Sequence, residues 1–215
     1  MGWQIANVSP LVGSRQSLRR VVSRRDEAKA VSGWSRKDRI PSVPSTFLSS
    51  AHIWSRDEIL SNPCPVPKAP GFYSWFFKNV PLSVPTNGCI TRGGKTLLYI
   101  GISPSAPPSN GKGPSRQSLR HRVRYHYRGN AEGSTLRLTL GCLLADELDI
   151  ELRRVGSGKR LTFGNVGEAK LSEWMGANAF VMFQICDTPW EVEEKLIANT
   201  CLPLNLDQNS PLEVL

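Results

Sequence analysis

Thr96-Leu97-Leu98-Tyr99-Ile100 is a short apolar run leading into Gly101, and upstream of it lies an aromatic run, Phe72-Tyr73-Ser74-Trp75-Phe76-Phe77. Aromatic and β-branched residues concentrated over so few positions read as strand rather than helix. Asn87-Gly88 and Gly93-Gly94, both turn dipeptides, stand between the two runs. The runs are therefore expected to pair as a hairpin with a long, decorated connection. Downstream, residues 103–114 hold Pro, Ser, Gly and Asn in quantity and read as a loop. A basic helix is predicted from about 115 to 128, another over Thr135 to Leu144, and a second hairpin from Ile150–Val155 and Arg160–Phe163 around Gly156-Ser157-Gly158. Glu168 to Met175 has helical apolar spacing, and Phe180 to Ile185 reads as a strong strand. Thr188, Pro189 and Glu191 predict a capping box and a last helix to about Asn199, broken by Leu202-Pro203-Leu204-Asn205-Leu206.

These elements predict an α/β chain of the α+β kind: a small central, mainly antiparallel sheet of about three strands, flanked by helices and carrying inserted elements. Upstream, residues 46–69 form a Pro-rich lead-in, with a short helix at Ser55–Leu60 and prolines that force an extended approach to Gly71. Residues 1–45 are set apart by composition. Arg15, Arg19, Arg20, Arg24, Arg25, Lys29, Arg36, Lys37 and Arg39 face only Asp26, Glu27 and Asp38. With poor apolar spacing, this stretch reads as a flexible basic arm, with one short helix near 14–30.

The chain has 215 residues, 40% of them hydrophobic, which supports a real core. A net charge of +9 and a pI near 9.6 favour a polyanionic partner. No apolar run reaches the roughly 18–20 residues needed to span a bilayer, so a membrane partner is not expected. Five cysteines, odd in number and without a CxxC pair, match neither a zinc site nor a disulfide framework. They are expected to be mostly buried and reduced, which with no apolar leader segment points to the cytoplasm.

Gly71-Phe72-Tyr73, then Tyr99-Ile100-Gly101, then Leu119-Arg120-His121-Arg122-Val123-Arg124-Tyr125-His126, then Glu193 with Leu196-Ile197 and Pro203-Leu204-Asn205, follow one another in an order that resembles the GIY-YIG nuclease domain. The resemblance covers roughly residues 70–206 and sets the expected domain at 70–215. It implies insertions at about 78–95, 103–114 and 134–178. The 26 residues from Tyr73 to Tyr99 exceed the family's usual hairpin, and Ile102 stands where some members carry a lysine.

The resemblance implies a catalytic set of Tyr73, Tyr99, Arg122, His126 and Glu193, with Gly71, Gly101 and Asn205 in support. Glu193 is the implied ligand for Mg²⁺ or Mn²⁺, with Glu191 and Glu194 as alternatives, and no small organic cofactor is expected. Physical chemistry gives these side chains plausible work. A phenol acts as a base near neutrality only if positive charge lowers its pKa from about 10, and Arg122, His126 and a metal would supply that charge. Tyr99 is the implied base or water-orienting group and Tyr73 the second phenol. Arg122 can grip a phosphate with two N–H groups, and His126, four residues on, shares its helix face. His126 could bind phosphate or move a proton. One carboxylate plus waters and substrate oxygens suits a hydrated divalent ion. Gly101 would let backbone or substrate approach closely. Lys112, Arg116, Arg120, Arg124 and Arg128 are expected either to hold a nucleic-acid backbone or to be solvated charges. The implied activity is phosphodiester hydrolysis on DNA; a non-catalytic nucleic-acid-binding module is the alternative.

Overall fold

The computed structural model describes residues 52–156 and 160–206; the basic stretch 1–45, with its expected helix, lies outside them. Helix α1 (Arg56–Leu60) forms where expected and starts on a complete capping box, with Ser55 accepting from the Glu58 backbone and Glu58 reaching back to the Ser55 N–H. Strand β1 (Gly71–Phe77) is buried along its whole length. After it come β2 (Thr91–Arg92), β3 (Lys95–Ser103) and helix α2 (Leu119–Arg128). A 3-10 turn at Ala131–Gly133 leads into α3 (Thr135–Leu143) and α4 (Ala145–Leu148). The chain then forms β4 (Arg153–Arg154), β5 (Leu161–Thr162), α5 (Gly164–Asn178), β6 (Ala179–Ile185) and α6 (Pro189–Asn199). The class is mixed α+β, as read from the sequence.

The main sheet is four-stranded, in the order β2-β3-β1-β6, and β4 pairs with β5 apart from it. All pairings in the main sheet are antiparallel. Its three long strands match the expected three; the short β2 lies in the β1–β3 connection. β3 continues past the predicted end because Gly101, Ile102 and Ser103 keep pairing with Tyr73, Phe72 and Gly71.

Three expectations are corrected. The basic helix begins only at Leu119, where Ser118 caps it by accepting from His121 N–H. The capping box at Thr188 does not form: its hydroxyl instead donates to the Glu191 carboxylate at 3.2 Å. Thr188 sits at φ −119°, ψ 65°, away from the extended backbone that aims a cap oxygen at the helix amides. None of the cysteines is fully buried, for Cys64, Cys89, Cys186 and Cys201 are half-buried and Cys142 is exposed, although all five are free thiols.

Strand alternation divides the core in two. Tyr73, Trp75 and Phe77 point from β1 into the larger cluster, with Leu119, Val123 and Tyr127 of α2, Leu136 and Leu140 of α3, and Leu171 and Met175 of α5. Phe72 and Phe76 point the other way, packing with Leu97, Ile100 and Met182 against Leu196 of α6, flanked by Val192 and Ile197. At about 1.5–3 kcal/mol for each fully buried large side chain, the first cluster holds most of the hydrophobic stabilisation. Its helices are tied together by a fully buried Arg137, whose guanidinium meets the Glu168 carboxylate at 2.6 Å, the Glu168 carbonyl at 2.9 Å and the His126 carbonyl at 3.1 Å. Glu168 also accepts from Ala131 N–H, Thr162 and Phe163 N–H. The 134–178 stretch is thereby locked onto the back of α2. Among the described residues no helix is long and apolar enough to cross a membrane.

Candidate active site

A cavity of about 540 Å³ opens beside the β1–β3 pair, lined by Tyr73, Tyr99, Gly101, Arg122, Glu193 and Asn205, with the hydroxyls of Ser105, Thr135 and Thr139. Residues from two strands, three helices and the C-terminal segment meet there, although they are far apart in the chain.

Register brings the phenols together. Tyr73 pairs across with Gly101, and Tyr99 with Trp75, so the two tyrosines are diagonal neighbours on one face of the sheet. Gly101 is the space that allows this. A β-carbon there would lie 2.6 Å from the Tyr73 hydroxyl, so the Tyr73 ring, and not substrate backbone as the sequence implied, occupies the close approach. Gly71 has a similar steric reason, since a β-carbon would run into the Gln184 carbonyl on β6. Asn205 clamps the strand between the key positions: its side chain accepts from Ile100 N–H at 3.0 Å and donates to Ile100 O at 2.7 Å.

Arg122 comes from α2. Its guanidinium donates to the Gly133 carbonyl at 2.7 Å, and its charge acts on the Tyr73 phenol. Tyr73 itself is 1% exposed. Burial pushes its phenol far up, nearby Tyr99 adds to this, and Arg122 pulls partly back. Tyr99 reaches Thr135 Oγ1 at 3.4 Å.

His126 is placed differently from the sequence expectation. It is 0% exposed and lies behind Tyr73 rather than lining the cavity itself, so it makes no phosphate contact in this arrangement. Burial first, then Arg122 and Arg137, hold its pKa well below the usual histidine range, so it is neutral and lends the phenols no positive charge. Its Nε2 lies 2.9 Å from the Tyr73 hydroxyl and its Nδ1 2.7 Å from Ser134 Oγ. Ser134 Oγ also accepts from Arg137 N–H, which joins His126 to the start of α3. Ser134 was not read from the sequence as a site residue. Its local signal, a serine ahead of an apolar helix, announces only a cap.

Glu193 arrives from the other side. The apolar stripe of α6 packs on the sheet face opposite the phenols, yet Glu193 lines their cavity, and its charge acts on Tyr73. Burial pushes its carboxyl up to about 7. Neither Glu191 nor Glu194 lines the cavity; both are exposed. Among the described residues no group of three or more His, Cys, Asp or Glu could hold a metal. A lone carboxylate among hydroxyls is an all-oxygen donor set, which fits a hard, hydrated divalent cation better than zinc.

The expected backbone-binding residues separate. Lys112 and Arg116 are exposed and line neither of the two larger cavities. Arg120 donates to the Val66 carbonyl at 2.6 Å and to Cys64 O at 3.5 Å, fastening α2 to the Pro-rich lead-in. Arg120 also lines, with Arg124 and Arg128, a second groove of about 480 Å³ shared with Lys68, His121 and Tyr125, and no acidic residue lines it. Lys68, in the lead-in, carries no sequence signal that singles it out.

No curated protein and no solved structure matches the chain. The GIY-YIG catalytic domain matches residues 71–214, about two thirds of the chain and every residue of the cavity named above. The family is one of endonucleases, generally dependent on a divalent metal, and this chain belongs to it.

Proposed function

We propose that this chain is a metal-dependent endonuclease hydrolysing phosphodiester bonds in DNA. The observation that carries the reading is the convergence of Tyr73, Tyr99, Arg122 and Glu193 on one cavity. Phosphodiester hydrolysis needs a deprotonated water, neutralised phosphate charge, a stabilised leaving oxygen and in-line positioning. Arg122 neutralises a non-bridging oxygen. Tyr73, within hydrogen-bonding distance of His126, contacts a second phosphate oxygen. Tyr99, less enclosed and beside Thr135, orients the attacking water and takes its proton. Glu193 would hold the divalent ion, Mg²⁺ or Mn²⁺. When bound, such an ion supplies Lewis-acid stabilisation of developing oxygen charge. His126 is thus a positioning residue acting through Tyr73, and Asn205 one acting through the β3 backbone.

The groove of Lys68, Arg124 and Arg128 continues the path for the nucleic-acid backbone. Tyr125 lines that groove beside them. The net charge of +9 agrees with a polyanionic substrate.

Incubation with supercoiled plasmid and Mg²⁺ or Mn²⁺, beside a Glu193→Ala variant, tests the reading. Metal-dependent nicking by the parent and its loss in the variant are expected. Salt-sensitive plasmid binding without nicking by the parent would replace this reading with that of a non-catalytic nucleic-acid-binding module.

A further inference from the structure

Outside the cavity, Cys89 and Cys201 place their sulfurs 3.2 Å apart although they lie 112 residues apart in the chain. Cys89 ends a turn in the β1–β2 connection, where its N–H donates to Thr86 O. Cys201 follows α6, and its sulfur also approaches the Asn87 carbonyl of that same turn at 3.4 Å. Gly88 sits between them at φ +79°, and a β-carbon built there would lie 4.0 Å from Cys201 Cβ. The turn and the helix exit are thus held against each other at more than one atom. Both thiols are half-buried and so within reach of a small solute, and no other pair of cysteines shares a sulfur contact among the described residues.

We propose that Cys89 and Cys201 are a disulfide-forming site that fastens the exit of α6 to the β1–β2 connection. The sulfurs need approach by only about 1.2 Å to reach a bond length of roughly 2.0 Å. Cys89 directs its S–H at Cys201, which leaves Cys201 as the attacking sulfur. Burial first, and then Cys201 itself, push the Cys89 thiol up to about 12, so it keeps its proton until the second step. A small-molecule disulfide is the oxidant. The Cys201 thiolate attacks one of its sulfurs and expels a thiolate, leaving a mixed disulfide on Cys201. Cys89 then gives up its proton, attacks the Cys201 sulfur and expels the second thiol. Two protein thiols are oxidised to one disulfide, and one small disulfide is reduced to two thiols.

The placement gives this bond a consequence. Cys201 stands between Glu193 on α6 and Asn205, which clamps β3 at Ile100. The last turn of α6 ends on a long bond, Thr200 N–H to Ile197 O at 3.5 Å. A crosslink spanning so long a loop restricts the unfolded chain and holds that helix end in place. This inference stands on the thiol geometry and is independent of the nuclease reading.

The test is to treat the folded full chain with oxidised glutathione and then count thiols under denaturing conditions, alongside intact mass, a non-reducing peptide map and a melting curve. The expected result is a fall from five thiols to three, a mass lower by two hydrogens, a single Cys89–Cys201 linked peptide, and a Tm several degrees above that of the reduced protein. Cys89→Ser and Cys201→Ser should each lose both the linkage and the Tm shift. A full thiol count, a glutathione adduct persisting on one cysteine, a linkage between other cysteines, or oxidised and reduced forms melting together would overturn the proposal.

Discussion

Helix α2 presents arginines in two directions, and their surroundings differ. Toward the β1–β3 cavity, Arg122 is half-buried, bonded to the Gly133 carbonyl and influenced by Tyr73, Tyr99 and Tyr125. Toward the second groove, Arg124 and Arg128 stand beside Lys68 with no carboxylate in the lining. A guanidinium fixed by protein partners is preorganised, which is what stabilising a transition state demands. A cation whose partners are absent is free to exchange counterions for phosphates, which is what sequence-independent backbone binding demands. On the proposed reading, one face of the helix serves chemistry and the other grip.

The sharpest way to break that division is to remove one arginine from each face. Arg122→Ala should lower turnover by about 10²–10³-fold, the scale for losing one preorganised charge stabiliser. Arg128→Ala should leave turnover at saturating DNA within about twofold, since it removes no transition-state contact. Steady-state nicking rates on plasmid check both. Equal losses would mean that the two faces share one role.

The next test is pH. Glu193 is pushed up to about 7 by burial, and only its ionised form can hold a cation. Turnover should rise about tenfold per pH unit below that value and level off above it. Metal and proton compete for the same oxygen, so raising Mg²⁺ should shift the limb to lower pH. A limb that stays put at all Mg²⁺ concentrations would remove Glu193 as the ligand. Stability runs the opposite way. The folded carboxyl holds its proton to higher pH than the unfolded one, so its contribution is full below about 4.5 and is lost as pH rises through about 7. Mg²⁺ should restore Tm above that pH in the parent and not in Glu193→Gln.

A smaller effect belongs to the scaffold. Asn205→Ala removes both side-chain bonds to Ile100, between Tyr99 and Gly101. It leaves a buried N–H and C=O unpaired, which costs about 1–3 kcal/mol for each orphaned group and loosens the strand that carries Tyr99. Chemical denaturation should report the lost stability, and kcat should fall by less than for Arg122→Ala. An unchanged kcat with full loss of stability would make Asn205 purely structural.

The arginines also show how far the sequence could be read. Hairpin strands, their order and the basic helix were legible because aromatic runs and turn dipeptides act locally. The meeting of Tyr73, Tyr99 and Arg122 was expected from the resemblance. Other fates were not legible. Arg120, Arg124 and Arg128 share one helical spacing, yet Arg120 alone is captured, because the Val66 and Cys64 carbonyls cross over its position only. His126 looked available for phosphate, and its complete burial depends on Ser134, Trp75 and Tyr73 arriving from elsewhere. Glu193 lies on a helix whose apolar stripe packs on the far face of the sheet, so alternation alone does not show that its carboxylate reaches the phenols. Long-range packing decided each case, and no local pattern encodes it.

The finest test of the two-faced helix separates affinity from rate. The double variant Arg124→Ala/Arg128→Ala should weaken DNA binding at low salt while kcat stays at the parent value. Each phosphate contact contributes a slope of about −0.9 to log K against log salt on duplex DNA, so losing two should flatten that slope by nearly 2. Arg122→Ala, removing one contact, should flatten it by about 1 while abolishing most turnover. Fluorescence anisotropy across a salt series, on a metal-free sample so that nothing is cut, measures all three proteins. An unchanged slope in the double variant would mean that the groove binds no phosphate, and the backbone would then have to leave the cavity along another side of α2.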